Sequence, residues 1–149
     1  MNWIDPFGLE TIVIITKDPL PGAVGWYGSH AAVYVDNNGD PAIYDPAGSY
    51  GDRNTIGSGD IISGPAANWN NYMKYHMDIG SKVALFFFAT TAQEEAAILN
   101  QADEQGGGAP FQCAILTSSA ISGIGPFKDI KPSLTPDGLY LDMRKLIQK

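Results

Sequence analysis

The four residues Asn37-Asn38-Gly39-Asp40 constrain this chain more than any other segment. They separate two short runs, residues 30–36 and 41–45, that read as strands. Asn and Gly accept the positive φ angles of a tight turn, so the joint is hairpin chemistry. Two strands joined this way pair antiparallel, and the end of the second returns beside the start of the first. Along the first strand His30, Ala32 and Tyr34 share one face, while Ala31, Val33 and Val35 share the other. The hairpin can therefore bring His30 and Asp45 together as neighbours.

The remaining elements group around that hairpin. Residues 11–17 (TIVIITK) are β-branched and strand-like. Residues 18–29 read as a Pro/Gly-rich loop and residues 47–65 as a long Gly/Ser-rich one. Residues 69–77 read as a short helix. Residues 81–90 read as a strand buried on both faces, with Phe86-Phe87-Phe88 at the centre of the core. Thr91 and Glu94 form a capping-box pattern that opens a helix running to about Glu104, and Gly106-Gly107-Gly108 ends it. A second helix carries residues 111–121. A third opens at Thr135-Pro136, with Leu139, Met143 and Leu146 on one face. The expected class is α+β, a small antiparallel sheet packed against helices.

Composition narrows the function. The 149 residues suit one domain, and 44% hydrophobic against 17% charged residues is enough apolar material for a core. With 9 Lys+Arg against 16 Asp+Glu, the net charge of −7 disfavours nucleic acid as a partner. The longest apolar stretch, residues 83–89, is strand-sized, so no transmembrane segment is expected. The single cysteine, Cys113, excludes a disulfide framework and a multi-thiolate zinc site within one chain. No cofactor or metal is expected. Asp36-Asn37-Asn38-Gly39-Asp40 fails as a calcium loop, because Pro41 stands where Gly is needed and Ala47 where Glu is needed. Phosphate-loop, dinucleotide-binding and serine-elbow motifs are absent from the sequence. Residues 1–9 lack the charged and apolar regions of a signal peptide.

Three residues can carry chemistry. Cys113 follows a triple glycine and Pro110 near a helix start, where unpaired N–H groups and the helix dipole stabilise a thiolate. Its apolar neighbours Ala114, Ile115 and Leu116 equally suit a buried structural cysteine. His30 is either a base on its strand or an exposed strand-end residue. Asp45 either orients His30 or serves the turn that Pro46 begins. Together they are the parts of a Cys–His–acid triad. His76 is a spare candidate for the third position, or else an ordinary surface or packing residue.

Two resemblances follow from these residues. Asp5-Pro6-Phe7-Gly8-Leu9 resembles the DPxGL motif that closes the Rhs-repeat core of bacterial polymorphic toxins. That resemblance implies autocleavage after Leu9, with Asp5, Pro6, Gly8 and Leu9 as the motif. Residues 1–9 would be the tail of the core and residues 10–149 a single C-terminal toxin domain. From residue 11 to 147 the chain resembles the permuted papain-like group, which includes permuted NlpC/P60 and lecithin:retinol-acyltransferase-like proteins. There the His strand precedes the Cys helix. Ser29-His30-Ala31-Ala32-Val33-Tyr34-Val35 is similar to the His strand, and Ala42-Ile43-Tyr44-Asp45-Pro46 to the strand of the third residue. Gln112-Cys113-Ala114, with Ser118-Ser119-Ala120-Ile121, is similar to the Cys helix, and Thr135-Pro136-Asp137-Gly138-Leu139-Tyr140 to the closing segment. Gln112 stands where many members have Asn, and Asp45 where many have His.

The resemblance implies a secreted antibacterial effector, delivered into a target bacterial cell through type VI secretion. Its activity would be that of a cysteine protease or amidase. Cys113 would be the nucleophile, His30 the base and Asp45 the orienting acid. Gln112 would assist the oxyanion, and Tyr34 and Tyr44 would line the site. The substrate would be a target-cell protein or peptidoglycan peptide, and the partners a cognate immunity protein and the Rhs core. An acyltransferase or lipase on the same fold, or a non-catalytic target-binding domain, are the alternatives.

Overall fold

The computed structural model describes residues 9–17, 28–51, 58–109 and 111–148. Within them the chain is α+β. Five strands, β1 (Glu10–Lys17), β2 (Gly28–Val35), β3 (Ala42–Tyr44), β4 (Ile61–Ser63) and β5 (Lys82–Ala89), form one antiparallel sheet in the order β4-β3-β2-β1-β5. Four helices accompany them: α1 (Trp69–Asp78), α2 (Ala92–Gln105), α3 (Cys113–Ile121) and α4 (Pro136–Ile147).

The hairpin forms where the sequence demands it. Val33 lies opposite Tyr44 and Val35 opposite Ala42, across a turn in which Asn37, Asn38 and Gly39 take φ of 49°, 55° and 85°. Strand alternation then divides the core in two. Val13, Ile15, Ala31, Val33, Val35 and Tyr44 face a layer built by Ile98 and Ala102 of α2, Ala120 and Ile121 of α3, and Leu139 and Met143 of α4. Ile12, Ile14, Ala32, Tyr34 and Ile43 face the other way, against Tyr72 of α1.

Two sequence expectations are corrected. β5 is an edge strand, not a central one, and Phe87 is 46% exposed. A continuous apolar run does not say how many neighbours it has. Here Phe88 packs on Phe127 and Phe86 on Tyr140, while Phe87 meets only the edge of Trp69 among aromatic rings of the described residues. The long loop after Ala47 contains β4, a three-residue strand between tight turns; Ile62 packs in the α1-side core and pins it to β3. The helix starts hold as read. Thr91 and Glu94 complete the reciprocal capping box of α2, and Thr135 Oγ1 accepts from the Gly138 N–H at 3.0 Å to cap α4.

Of the N-terminal motif, Asp5, Pro6 and Gly8 lie outside the described residues. Leu9 lies within them, its carbonyl accepting from the Thr90 N–H at 3.4 Å. Most of the 18–29 loop likewise lies outside.

Candidate active site

His30 enters the sheet at an irregularity. Thr16 pairs with His30, but Lys17 pairs with Gly28, so Ser29 is an extra residue in β2. A bulge of this kind bends a strand and re-aims the side chain beside it. Asp45 follows the last residue of β3. Continuing the β2–β3 register by one step sets it opposite Ala32, on the face that carries His30. Its backbone is fixed on both sides: its N–H donates to the Asp60 carbonyl at 3.0 Å, and its carbonyl accepts from the Gly48 N–H at 3.1 Å. Pro46 and Ala47, the latter at φ 60°, fill the turn between them. Asp45 thus serves the turn through its backbone and His30 through its side chain.

The three candidate residues come together. His30 Nε2 donates to Asp45 Oδ1, which leaves Nδ1 for the Cys113 thiol, the second hydrogen-bond partner of the ring. Asp45 is fully buried, His30 is 9% and Cys113 5% exposed. Cys113 is the first residue of α3. Gly106 at φ 74° ends α2, and Phe111 at φ 72° turns the chain into α3. Thr117 Oγ1 then donates to the Ala31 carbonyl at 3.1 Å and holds α3 against β2 one residue from His30.

Burial pushes the imidazole down. The hydrogen bonds to Asp45 and Cys113 and the negative charge of both outweigh that and raise His30 to about 10. For Cys113 burial pushes the thiol up. The bond and charge of His30, with backbone bonds at Ala31 and Ala114, outweigh it and bring the thiol below its ordinary value. The arrangement favours a thiolate–imidazolium pair, with the imidazole held in one orientation by a carboxylate. Such a pair can attack an electrophilic carbon and carry a proton to a departing atom.

Sequence reasoning missed Tyr72. This fully buried α1 residue donates its hydroxyl to Asp45 Oδ1 at 2.8 Å. One turn later His76, also buried, lies 6.0 Å from His30 ring to ring in a stacked arrangement. Their i, i+4 spacing marks one helical face and was the available signal. His76 is therefore a buried packing residue beside His30 rather than a surface one.

The other candidates sit elsewhere. Tyr34 donates to Asp36 Oδ1 at 2.7 Å, beyond the opposite end of β2 from His30. Tyr44 lies on the other face and donates to the Gly106 carbonyl at 2.8 Å. It braces the segment leading to Cys113 rather than lining the site. The exposed Gln112 turns its carboxamide oxygen to the Ala109 N–H at 2.9 Å. Among the described residues no group of three or more His, Cys, Asp and Glu is placed to hold a metal ion, and no helix is long and apolar enough to cross a membrane.

The fold and site together define an α+β domain with a buried Cys–His–Asp chain at the end of its sheet. No protein family, curated protein or solved structure matches it.

Proposed function

We propose that this domain is a cysteine hydrolase of the permuted papain-like, NlpC/P60-related type, acting as a protease or amidase. The observation that carries the reading is that one imidazole, His30, is bonded at once to the Asp45 carboxylate and the Cys113 thiol. The chain order supports the fold assignment: the His strand comes first, the acid strand next and the Cys helix last.

In the first half-reaction the Cys113 thiolate attacks the carbonyl carbon of an amide. The carbonyl oxygen takes up the negative charge, and backbone N–H groups at the start of α3 stabilise it. His30, as imidazolium, gives its proton to the departing amine as the C–N bond breaks, leaving a thioester on Cys113. In the second half, neutral His30 takes a proton from water, hydroxide attacks the thioester, and the thiolate leaves with the acid released. Asp45 keeps the ring aimed throughout.

The setting we propose is that of a C-terminal toxin domain, residues 10–149, released from an Rhs core and delivered into a target bacterium. An immunity protein would be its antagonist, and a target-cell protein or peptidoglycan peptide its substrate. The resemblance of residues 5–9 to the DPxGL motif supports that setting. The test expresses the domain in a bacterial host in cytoplasmic and periplasmic forms. Killing by the wild type, and its loss with an unchanged melting curve in Cys113→Ala, is the expected result. Full toxicity of the folded variant would overturn every enzymatic version.

A further inference from the structure

On the α1 side of His30 lies a cleft of about 170 Å³, walled by Thr16, His30, His76 and Ile79 with the turn at residues 47–49. Thr16 stands directly across from His30 in the β1–β2 register, so both side chains leave the sheet on the same face. Thr16 is 1% exposed, and among the described residues its hydroxyl has no hydrogen-bond partner. A hydroxyl taken out of water without a replacement partner opposes folding, and valine would fill the same space without that cost. A threonine at this point of a cleft wall is explained by a ligand that completes its hydrogen bond.

The lining also states what kind of ligand. Among the described residues it contains no Lys, Arg, Asp or Glu. On this described part of the wall a cation would find no carboxylate, and an anion no fixed cation beyond His30, which Asp45 and Cys113 already balance. An apolar group would strand the Thr16 hydroxyl. The Ser49 hydroxyl is shared with Tyr75 at 2.9 Å, so among the described residues Thr16 carries the lining hydroxyl that lacks a partner. At roughly 30 Å³ of liquid volume per water, the cleft has room for a few water-sized groups, the bulk of one short side chain.

We propose that this cleft is a specificity subsite for a short, uncharged, hydrogen-bonding side chain of a peptide substrate, with Thr16 Oγ1 as the group that recognises it. The subsite deepens the thiol-hydrolase reading and rests on it for its purpose: His30 forms the wall of the cleft and is also the partner of the thiol. Its existence as a binding site is measured without turnover, so the two claims fail separately.

The experiment titrates the intact domain with N-acetyl amino-acid amides of Asn, Ser, Asp, Lys and Leu. Binding is followed by NMR at the Thr16 methyl and at the ring carbons of His30 and His76, the two histidines of the chain. The Asn and Ser amides should shift these signals and bind at least about fivefold more tightly than the other three, since a site built to bond a polar group rejects analogues lacking it. Thr16→Val should erase the preference, and Thr16→Ser should restore it. Equal binding of the charged or leucine probes, no response at Thr16, or an undiminished preference in Thr16→Val would each overturn the subsite. Loss of toxicity in Cys113→Ala, read independently, addresses the hydrolase alone.

Discussion

Asp45 Oδ1 accepts from two side chains at once, His30 Nε2 on β2 and the Tyr72 hydroxyl on α1. The carboxylate is fully buried, so its oxygens are satisfied by directed bonds within the protein rather than by water. That makes α1 a member of the site although none of its residues carries the proposed chemistry. Tyr72 fixes the acid, the acid fixes the imidazole, and the imidazole sets the state of the thiol.

Tyr72→Phe keeps the ring packing and removes one of these bonds. A hydrogen bond to a charged group contributes about 1.5–3 kcal/mol, so a loss of stability in that range is expected by denaturant unfolding. The rate at which iodoacetamide alkylates Cys113 at neutral pH should also fall, because an acid held less firmly orients His30 less well. An unchanged alkylation rate alongside reduced stability would show that the Tyr72 bond serves the fold and does not position His30.

Gly48 lies against the same carboxylate. A Cβ at this position would be 2.0 Å from Asp45 Oδ2 and 2.2 Å from its Cγ, a clash with a side chain already fixed by two bonds. Gly48→Ala should therefore displace Asp45 and lower Cys113 reactivity about as much as Asp45→Ala does. Near-wild-type alkylation in Gly48→Ala would mean that the carboxylate can move without consequence.

How far the sequence revealed this site follows from what kind of signal each residue carries. The hairpin was legible because Asn37, Asn38 and Gly39 announce a turn through their backbone preferences. Once it was placed, His30 and Asp45 could be neighbours. Cys113 was legible as a helix start because glycines and Pro110 precede it. Tyr72 and His76 were not, since a helical face says that it is buried but not against what. Tyr34 and Tyr44 failed for a related reason. Alternation placed Tyr34 on the His30 face, but the hydroxyls of both tyrosines found partners at Asp36 and Gly106, contacts set by tertiary packing. β5 misled because an apolar run has the same composition at the edge as at the centre.

The pH dependence follows from the coupled pair. With His30 raised to about 10 and Cys113 below its ordinary value, a larger share of the thiol should be ionised at neutral pH than in an ordinary cysteine. The alkylation profile should then show its inflection below that of an ordinary thiol. In His30→Ala only burial and the backbone bonds remain, and the inflection should move upward. For stability, His30 is raised from 6.5 in the unfolded chain to about 10 in the folded one. Its contribution is therefore complete below 6.5 and is lost as pH rises through about 10. The melting-temperature gap between wild type and His30→Ala should narrow across that alkaline window.

Asp60 joins the two halves of the site. Its Oδ2 accepts from the Ala47 N–H at 2.9 Å and the Gly108 N–H at 3.1 Å, bridging the turn after Asp45 and the glycine segment before Cys113. Asp60→Ala leaves both donors without this partner, at about 1–3 kcal/mol for each that water does not reach. Both segments should loosen together, with hydrogen exchange rising at Ala47 and Gly108 and Cys113 alkylation slowing. Asp60→Asn retains a carbonyl acceptor and should recover much of the protection.

Far from the thiol, Glu95 is a buried carboxylate with a different consequence. It accepts from the Asn37 N–H at 2.7 Å and from Thr90 Oγ1 at 2.6 Å, tying α2 to the hairpin turn and to the residue after β5. Burial raises its pKa, the bonds from Thr90 and Asn37 offset this in part, and the nearby charges of Asp36 and Glu94 add to the rise. A carboxyl raised above its unfolded value contributes stability that is present below the unfolded value and is lost as pH rises through the folded one. Glu95→Gln removes that titration while keeping an oxygen for Asn37 and an N–H for Thr90. The variant should therefore gain melting temperature relative to wild type at pH 7, with the gain shrinking or vanishing near pH 4. A constant difference between wild type and variant at both pH values would show that the Glu95 charge is fully compensated by its bonds.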